Sequence, residues 1–126
     1  MPIARFEDLD PILDVHDIDA ALRFYVERLG FQIDFRDEEH PENYAAVRRD
    51  GVCLHMQWQH EDNFRDGAAG HLRVRITVDD PDALFAEYRS KGVLDERAQV
   101  RDTAWGTREF GIRDVDGNGL IFCRDR

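Results

Sequence analysis

Side chains suited to catalysis are few in this sequence, apart from its carboxylates. The only serine, Ser90, lies on the surface of a predicted helix rather than in the sharp turn of a nucleophilic serine. There is no glycine-rich phosphate-binding loop. Aspartate and glutamate number 27, so some pair of carboxylates will always be close, and such a pair does not indicate acid–base catalysis. The sequence therefore predicts no catalytic residue.

The two cysteines, Cys53 and Cys123, each lie in an apolar, strand-like run. They do not form a zinc motif with other cysteines or with histidines. In a reducing compartment such cysteines are expected to be small buried core residues, with a disulfide as the alternative.

Size and charge limit the classes of partner. The chain has 126 residues, which suits one domain with a real core, and its formal net charge is −10. This charge argues against binding to nucleic acid, whose phosphates require a basic face. It is compatible with a cationic ligand, and also with solubility alone. There is no apolar run of the roughly 20 residues needed to span a membrane, and the N-terminus lacks a signal peptide's apolar core, so we expect a cytoplasmic protein without membrane contact.

An internal repeat indicates which elements position the polar side chains. The segment 15–20, VHDIDA, recurs 63 residues later as 78–83, VDDPDA. In each copy a strand ends in valine, an aspartate occupies the N-cap position of a helix, and the apolar helix runs to a glycine. The two halves of the chain are therefore expected to share one fold.

Three strand-like runs follow each predicted helix: 30–36, 44–49 and 51–58 in the first half, and 96–101, 108–114 and 119–124 in the second. Asp50-Gly51 and Asp116-Gly117 are tight-turn dipeptides, so each half ends in a hairpin. We predict an α+β fold in a single domain of two tandem βαβββ modules. The modules span residues 1–60 and 68–126, with a polar linker over 61–67. A four-stranded sheet with one helix cannot bury both faces, so the modules are expected to form one cupped mixed sheet with the helices outside.

This doublet resembles the vicinal oxygen chelate superfamily, which includes glyoxalases, extradiol dioxygenases and bleomycin-resistance proteins. In its metalloenzymes each module supplies one ligand from its first strand and one from its last. The resemblance places these positions at Asp10, His55, Arg73 and Ile121. Ile121 has no donor atom and Arg73 is a permanent cation, so we expect no metal and no other cofactor. The alternatives are a noncanonical metal site from Asp10, His55 and His71, and a purely structural His55 in a polar cleft.

The closer similarity is to the bleomycin-resistance proteins. It rests on Trp105-Gly-Thr-Arg108-Glu109-Phe110, Arg113-Asp114 and Gly117-Asn118 in the second half, and on Arg28-Leu-Gly-Phe31 and Asp34-Phe35 in the first. Known members bind bleomycin-type glycopeptides without modifying them, as homodimers with grooves between the subunits. Pro11 matches a proline at the hinge of an N-terminal strand that the family exchanges between subunits, which suggests strand swapping here.

The resemblance gives pocket roles to Asp34, Phe35 and Tyr44, and to Trp105-Gly106 before the seventh strand. Aromatic faces can stack on a flat cationic group, and carboxylates can pair with its charge. Ordinary strand packing is the alternative for Phe35 and Tyr44. The complete set of predicted ligand-binding residues is Asp34, Phe35, Tyr44, His55, Gln57, Arg73, Arg75, Trp105 and Gly106.

The sequence also departs from the family pattern. Arg75 and Thr77 stand where resistance proteins carry tryptophans, and an arginine there disfavours a strongly cationic ligand unless it pairs with an acid. The segment 36–43 is longer than in the best-known members, which reshapes the rim of the groove.

We predict a non-catalytic protein that sequesters a small cationic antibiotic of the bleomycin type in an acidic, aromatic-lined groove of a homodimer. The alternatives are a metal-dependent lyase or dioxygenase of the same superfamily, and a binding protein for an unidentified metabolite.

Overall fold

The computed structural model describes residues 2–126, which form two modules of the same element order. The first module comprises β1 (Ile12–Val15), α1 (Ile18–Arg23), β2 (Gln32–Arg36), β3 (Tyr44–Arg49) and β4 (Val52–Trp58). A short helix, α2 (Glu61–Arg65), follows it. The second module comprises β5 (Arg73–Thr77), α3 (Pro81–Ser90), β6 (Arg101–Asp102), β7 (Thr107–Arg113) and β8 (Gly119–Asp125). The predicted α+β class with two βαβββ modules is confirmed.

The helices α1 and α3 begin where the repeat places an aspartate. The side chain of Asp17 accepts a hydrogen bond from the backbone N–H of Ala20 at 3.0 Å, and Asp80 accepts one from Ala83 at 3.0 Å. After α1 the chain continues as a π-helical turn over Phe24–Arg28. No helix within residues 2–126 has both the length and the apolar character needed to cross a bilayer.

Two elements differ from the sequence prediction. The strand predicted over 96–101 is reduced to Arg101–Asp102. Just before it, Asp95 accepts hydrogen bonds from the backbone N–H groups of Arg97 and Ala98, and this turn takes the chain out of an extended conformation. The segment expected to be a linker contains α2, whose first turn is capped by the imidazole of His60.

The strands form two mixed sheets, with orders β1-β4-β3-β2 and β5-β8-β7-β6. In each sheet the first pair is parallel and the other two pairs are antiparallel. The sequence led us to expect one cupped sheet of eight strands. Within residues 2–126 the two sheets share no ladder, because β1 and β5 each pair with one strand of their own module and leave their other edge free. The expected continuous sheet is therefore not formed by a single chain.

Alternation along the strands gives each sheet one core face. In β4, Leu54 and Met56 are buried, and in β8 Leu120 and Phe122 are buried. The helix α1 packs against β3 and β4, and α3 packs against β7 and β8. We call the opposite face of each sheet its open face. It carries Phe35, Tyr44, Cys53 and His55 in the first sheet, and Arg73, Arg75, Glu109 and Ile121 in the second.

Buried polar contacts join the two modules. The hydroxyl of Tyr25 in the first module donates to Oδ2 of Asp114 in the second at 2.7 Å. The side-chain amide of Asn118 donates to the backbone carbonyl of Asp14 at 2.9 Å. Tyr25 and Asn118 are both fully buried, so these bonds lie inside the common core and fix how one module sits on the other.

The N-terminal segment ahead of β1 is not packed into this core. Residues 2–10 are exposed and have no regular secondary structure. The side chains of Ile3, Phe6 and Leu9 are almost completely accessible to solvent. The chain joins the sheet at Pro11, whose carbonyl accepts a hydrogen bond from the backbone N–H of His55 at 3.0 Å. Three apolar side chains are thus presented to solvent on a short arm.

Candidate functional site

Three aromatic rings form a cluster on the open face of the first sheet. Phe35 and His55 both pair with Ala46 of β3, which places them on one face. The ring of Phe35 stacks near that of Tyr44, with centroids 6.1 Å apart and planes inclined by 17°. The imidazole of His55 meets both rings edge-on, at 5.4 and 5.6 Å. The cluster is a partly exposed aromatic surface, and a planar group could stack on the ring of Phe35, the most exposed of the three.

A hydrogen bond holds the cluster together. The hydroxyl of Tyr44 lies 2.8 Å from Nδ1 of His55, which leaves Nε2 of the imidazole directed toward Asp10, 3.8 Å from its Oδ2. Burial raises the pKa of the Tyr44 phenol, and the negative charge of Asp10 raises it further. Tyr44 is therefore a neutral phenol at physiological pH, able to act as donor or acceptor to the imidazole.

A β-bulge between Ile33 and Phe35 brings Asp34 to the same open face. Its carboxylate lies 3.3 Å from Nε of Arg48. The sequence analysis assigned Asp34 to a cationic ligand, and in the structure that charge is partly balanced by Arg48. Gln57 pairs with Tyr44 across β3 and β4, so it lies on the same face at the end of the cluster.

On the open face of the second sheet, Arg75 is paired with an acid. Its guanidinium lies 3.4 Å from Oε2 of Glu109, a residue that is only 8% exposed. The hydroxyl of Thr107 donates to the same oxygen at 2.9 Å. Arg73 lies two residues away on the same face, and the lack of a side chain at Gly119 leaves room for its stem. Arg75 was expected to disfavour a cationic ligand unless it pairs with an acid, and Glu109 is that acid.

Trp105 and Gly106 occupy a separate turn between β6 and β7. Thr103 closes this turn, because its backbone N–H donates to the carbonyl of Thr107 at 2.8 Å. Gly106 has a φ of +91°, which a residue with a side chain rarely adopts. The indole of Trp105 is 66% exposed. The turn thus presents an aromatic face to solvent.

The nine predicted ligand-binding residues lie in three places. Five share the open face of the first sheet: Asp34, Phe35, Tyr44, His55 and Gln57. Arg73 and Arg75 lie on the second sheet, and Trp105-Gly106 lie in the turn. A cleft of about 620 Å³ between α3 and the β3–β4 turn contains none of the nine.

Cys53 lies at a position that was not predicted from the sequence. Both cysteines were expected to be buried, and Cys123 is, but Cys53 lies half-buried on the open face beside His55. Burial raises the pKa of its thiol, and Asp34 adds to this effect while Arg48 opposes it. The alternation of β4 could have predicted this position. Residues two apart on a strand share a face, so the apolar, buried Leu54 and Met56 mark the core face, and Cys53 lies with His55 on the opposite face.

Donor atoms of Asp10, Cys53 and His55 all lie within 4.8 Å of one another. This group differs from the set of Asp10, His55 and His71 that the sequence suggested as an alternative. In the structure His71 lies beside Gly67, ahead of β5, and is not part of the group. Cys53 replaces His71 in the group because it lies two residues from His55 on the same face of β4.

Comparison with known proteins defines the class to which this fold and site belong. Residues 9–122 match the model of the Glyoxalase/Bleomycin resistance protein/Dioxygenase superfamily, and the chain belongs to this superfamily.

Within the superfamily, the similar proteins include bleomycin-resistance proteins. Those of Geobacillus stearothermophilus and Staphylococcus aureus are each 27% identical over 125 residues, covering 89% of this chain and 92% of theirs. The chain is also similar to the bleomycin-binding protein of the bleomycin producer Streptomyces verticillus, whose structure was solved with copper(II)-bleomycin. The two are 30% identical, with a TM-score of 0.72, over 95% of this chain and 97% of that one. A bleomycin-resistance determinant encoded on the transposon Tn5 shares the fold, with a TM-score of 0.78 at 22% identity over 96% of this chain and 99% of that one.

Proposed function

We propose that this protein reversibly binds a small cationic glycopeptide of the bleomycin type and leaves it chemically unchanged. The observation that carries the proposal is the cluster of Phe35, Tyr44 and His55 with carboxylates at its margin. A flat cationic group placed on this cluster would gain stacking and cation–π contacts. It would also gain charge pairing with Asp10 and with the part of the Asp34 charge that Arg48 leaves unbalanced.

The proposed binding groove is completed by a second copy of the chain. Within residues 2–126 the predicted binding residues are divided between the first sheet, the second sheet and the turn between β6 and β7. The exposed arm with Ile3, Phe6 and Leu9 supports association, because such apolar side chains are covered in a stable assembly. We propose a homodimer in which this arm, hinged at Pro11, packs on the other subunit. Light scattering that finds only a monomer of 14.7 kDa at micromolar concentration contradicts this part of the proposal.

Calorimetric titration with metal-free and with copper-loaded bleomycin tests the proposed function. We expect saturable binding, and mass spectrometry of the recovered ligand should find it unaltered. Trp105→Ala removes an exposed stacking face and should weaken binding by about 1–3 kcal/mol, or roughly ten- to a hundredfold. Trp58→Ala is the matched control, since Trp58 is half-exposed outside the nine predicted residues. Equal losses in the two variants would refute a specific role for Trp105.

Asp34→Asn tests the electrostatic part of the proposal. The substitution removes a charge at nearly constant shape, so binding should weaken, and the loss should shrink as salt screens the exposed contact. Asp66→Asn removes an exposed carboxylate outside the site and should leave binding unchanged. A loss at Asp34 that does not depend on salt contradicts a direct charge contact.

A metabolite carrying a carboxylate is the second candidate, and the observation that favours it is the pair Arg73 and Arg75. Within residues 2–126, Arg73 forms no salt bridge, so its charge is available to an anion. Arg75→Trp separates the two candidates. The change should tighten binding of a cationic glycopeptide and weaken binding of a carboxylate. If bleomycin binds neither the wild type nor Arg75→Trp, the glycopeptide proposal fails and the metabolite proposal replaces it.

A further inference from the structure

The open face of the first sheet brings together an imidazole, a thiol and a carboxylate. Nε2 of His55 lies 3.8 Å from Oδ2 of Asp10, and one donor atom from each of Asp10, Cys53 and His55 lies within 4.8 Å of the other two. Two ligands of a tetrahedral zinc ion, each about 2.1 Å from it, are roughly 3.4 Å apart. A small rotation of the exposed Asp10 side chain and of the Cys53 side chain is therefore enough to close these three donors around one ion.

We propose that Asp10, Cys53 and His55 form a binding site for a thiophilic divalent cation such as Zn²⁺. Nitrogen, sulfur and oxygen donors of these types bind zinc in proteins, and three protein ligands leave a fourth position open. A deprotonated Cys53 and the carboxylate of Asp10 together supply two negative charges. A neutral His55 completes a set whose charge balances that of the ion.

The imidazole is held in the orientation that such a site needs. Its Nδ1 is hydrogen-bonded to the hydroxyl of Tyr44 at 2.8 Å, so Nε2 is the nitrogen free to coordinate. A ligating histidine commonly donates its other ring N–H to an oxygen in this way. The edge-on rings of Phe35 and Tyr44 restrict rotation of the imidazole further. His55 is therefore a preorganised ligand.

The backbone next to Asp10 is hydrogen-bonded to β4. The carbonyl of Pro11 accepts the hydrogen bond from the N–H of His55, which anchors the chain immediately after Asp10. The side chain of Asp10 is 44% exposed, so an ion can enter from solvent. Arg48 lies opposite Cys53 on this face, but it is already paired with Asp34 and therefore repels an incoming ion less.

This site shares Asp10 and His55 with the four superfamily positions considered above and differs from them in its third ligand, Cys53. All three of its ligands come from the first module, and Cys53 stands in for the two positions that Arg73 and Ile121 cannot supply. The sequence-based expectation was that no metal binds, argued from the lack of donors at Arg73 and Ile121, and the present proposal departs from that expectation. The inference does not rest on the proposed glycopeptide binding, and the test below uses metal ions alone.

Titration of the purified, reduced protein with Co²⁺ tests the proposal. We expect one Co²⁺ per chain, with the thiolate-to-cobalt charge-transfer band and the visible bands of a tetrahedral ion. Addition of Zn²⁺ should abolish both. Cys53→Ser should remove the charge-transfer band, and His55→Gln should weaken binding at least tenfold. Tyr44→Phe should weaken it by roughly tenfold or more, through loss of the partner that orients the imidazole.

Matched controls separate this site from incidental binding. Cys123→Ala and His60→Gln change one buried cysteine and one exposed histidine outside the site, and both variants should keep the full spectrum. A folded protein that shows no thiolate band with Co²⁺ overturns the proposal. A thiolate-to-cobalt band that survives Cys53→Ser also overturns the proposal.

A second measurement needs no variant that could misfold. In the unmodified protein, Cys53 is half-exposed and Cys123 is buried, so a small alkylating reagent should modify Cys53 first. Saturating Zn²⁺ should slow that reaction at least tenfold, with the modified residue identified by peptide mass. Equal rates with and without Zn²⁺ would also overturn the proposal. Bleomycin binding that persists in that case leaves the proposed function standing.

Discussion

Replacing Tyr25 by phenylalanine should destabilise the protein by about 2 kcal/mol. The hydroxyl donates a 2.7 Å hydrogen bond to the carboxylate of Asp114, inside the core and between the modules. A bond to a charged acceptor is worth about 1.5–3 kcal/mol. The lower half of this range applies because Asp114 keeps three other donors, the backbone N–H groups of Asp116 and Asn118 and the side-chain amide of Asn118. The phenylalanine ring retains the edge-on contact with Phe31.

The repeat supplies the control for this prediction. Tyr88 lies 63 residues after Tyr25 and is equally buried, but its hydroxyl donates to the neutral backbone carbonyl of Leu29 at 2.9 Å and accepts only a long hydrogen bond of 3.4 Å from the guanidinium of Arg49. Tyr88→Phe should therefore cost less, about 0.5–1.5 kcal/mol. Urea denaturation of both variants at neutral pH measures the two losses, and unchanged m values would show that two-state unfolding is preserved. A loss in Tyr88→Phe as large as that in Tyr25→Phe would refute the charge-assisted interpretation.

Two further predictions concern stability. Arg49 forms a 2.8 Å ion pair with Glu87 and lowers the pKa of that carboxyl below its ordinary value of 4.5. The pair should therefore contribute its full stability at pH values above 4.5. This contribution should be lost as the pH falls through the lowered pKa of Glu87. The stability difference between wild type and Glu87→Gln, measured by denaturation at several pH values, should therefore shrink on acidification, and a difference that grows would contradict the assignment. Gly106→Ala should lower the free energy of unfolding by about 1–2 kcal/mol because of the positive φ, although nothing lies within 4 Å of the added Cβ. Gly51→Ala meets equally open space without a positive φ and should cost far less in the same assay, so equal costs would refute the backbone explanation.

Much of the fold could be predicted because it depends on local signals that occur twice. The capping aspartates Asp17 and Asp80 and the two tight turns mark the same element boundaries in each half. The partition into two sheets could not be predicted in this way. It depends on which edges of β1 and β5 find partners, and no local signal in the sequence marks those edges.

Which side chains of the candidate site lie together could be predicted only where the sequence showed which face of a strand each side chain occupies. Phe35 and Tyr44 were placed together by their strands, and the structure stacks them. The pairing of Arg75 with Glu109 was not predicted, because it crosses from β5 to β7 over β8 and depends on register rather than on sequence spacing. Cys53 was missed because an apolar run was interpreted as core without separating its two faces. Roles in ligand binding remain predictions for all nine residues.

The two open faces have an evolutionary consequence. Duplication of one module gives two surfaces that start out identical, yet here one carries aromatic rings with acids and a thiol, while the other carries arginines. Because these side chains alternate with the buried ones along each strand, they can be exchanged without repacking the interior. The scaffold can therefore acquire new ligand preferences one surface at a time, while the untouched copy and the shared core preserve folding.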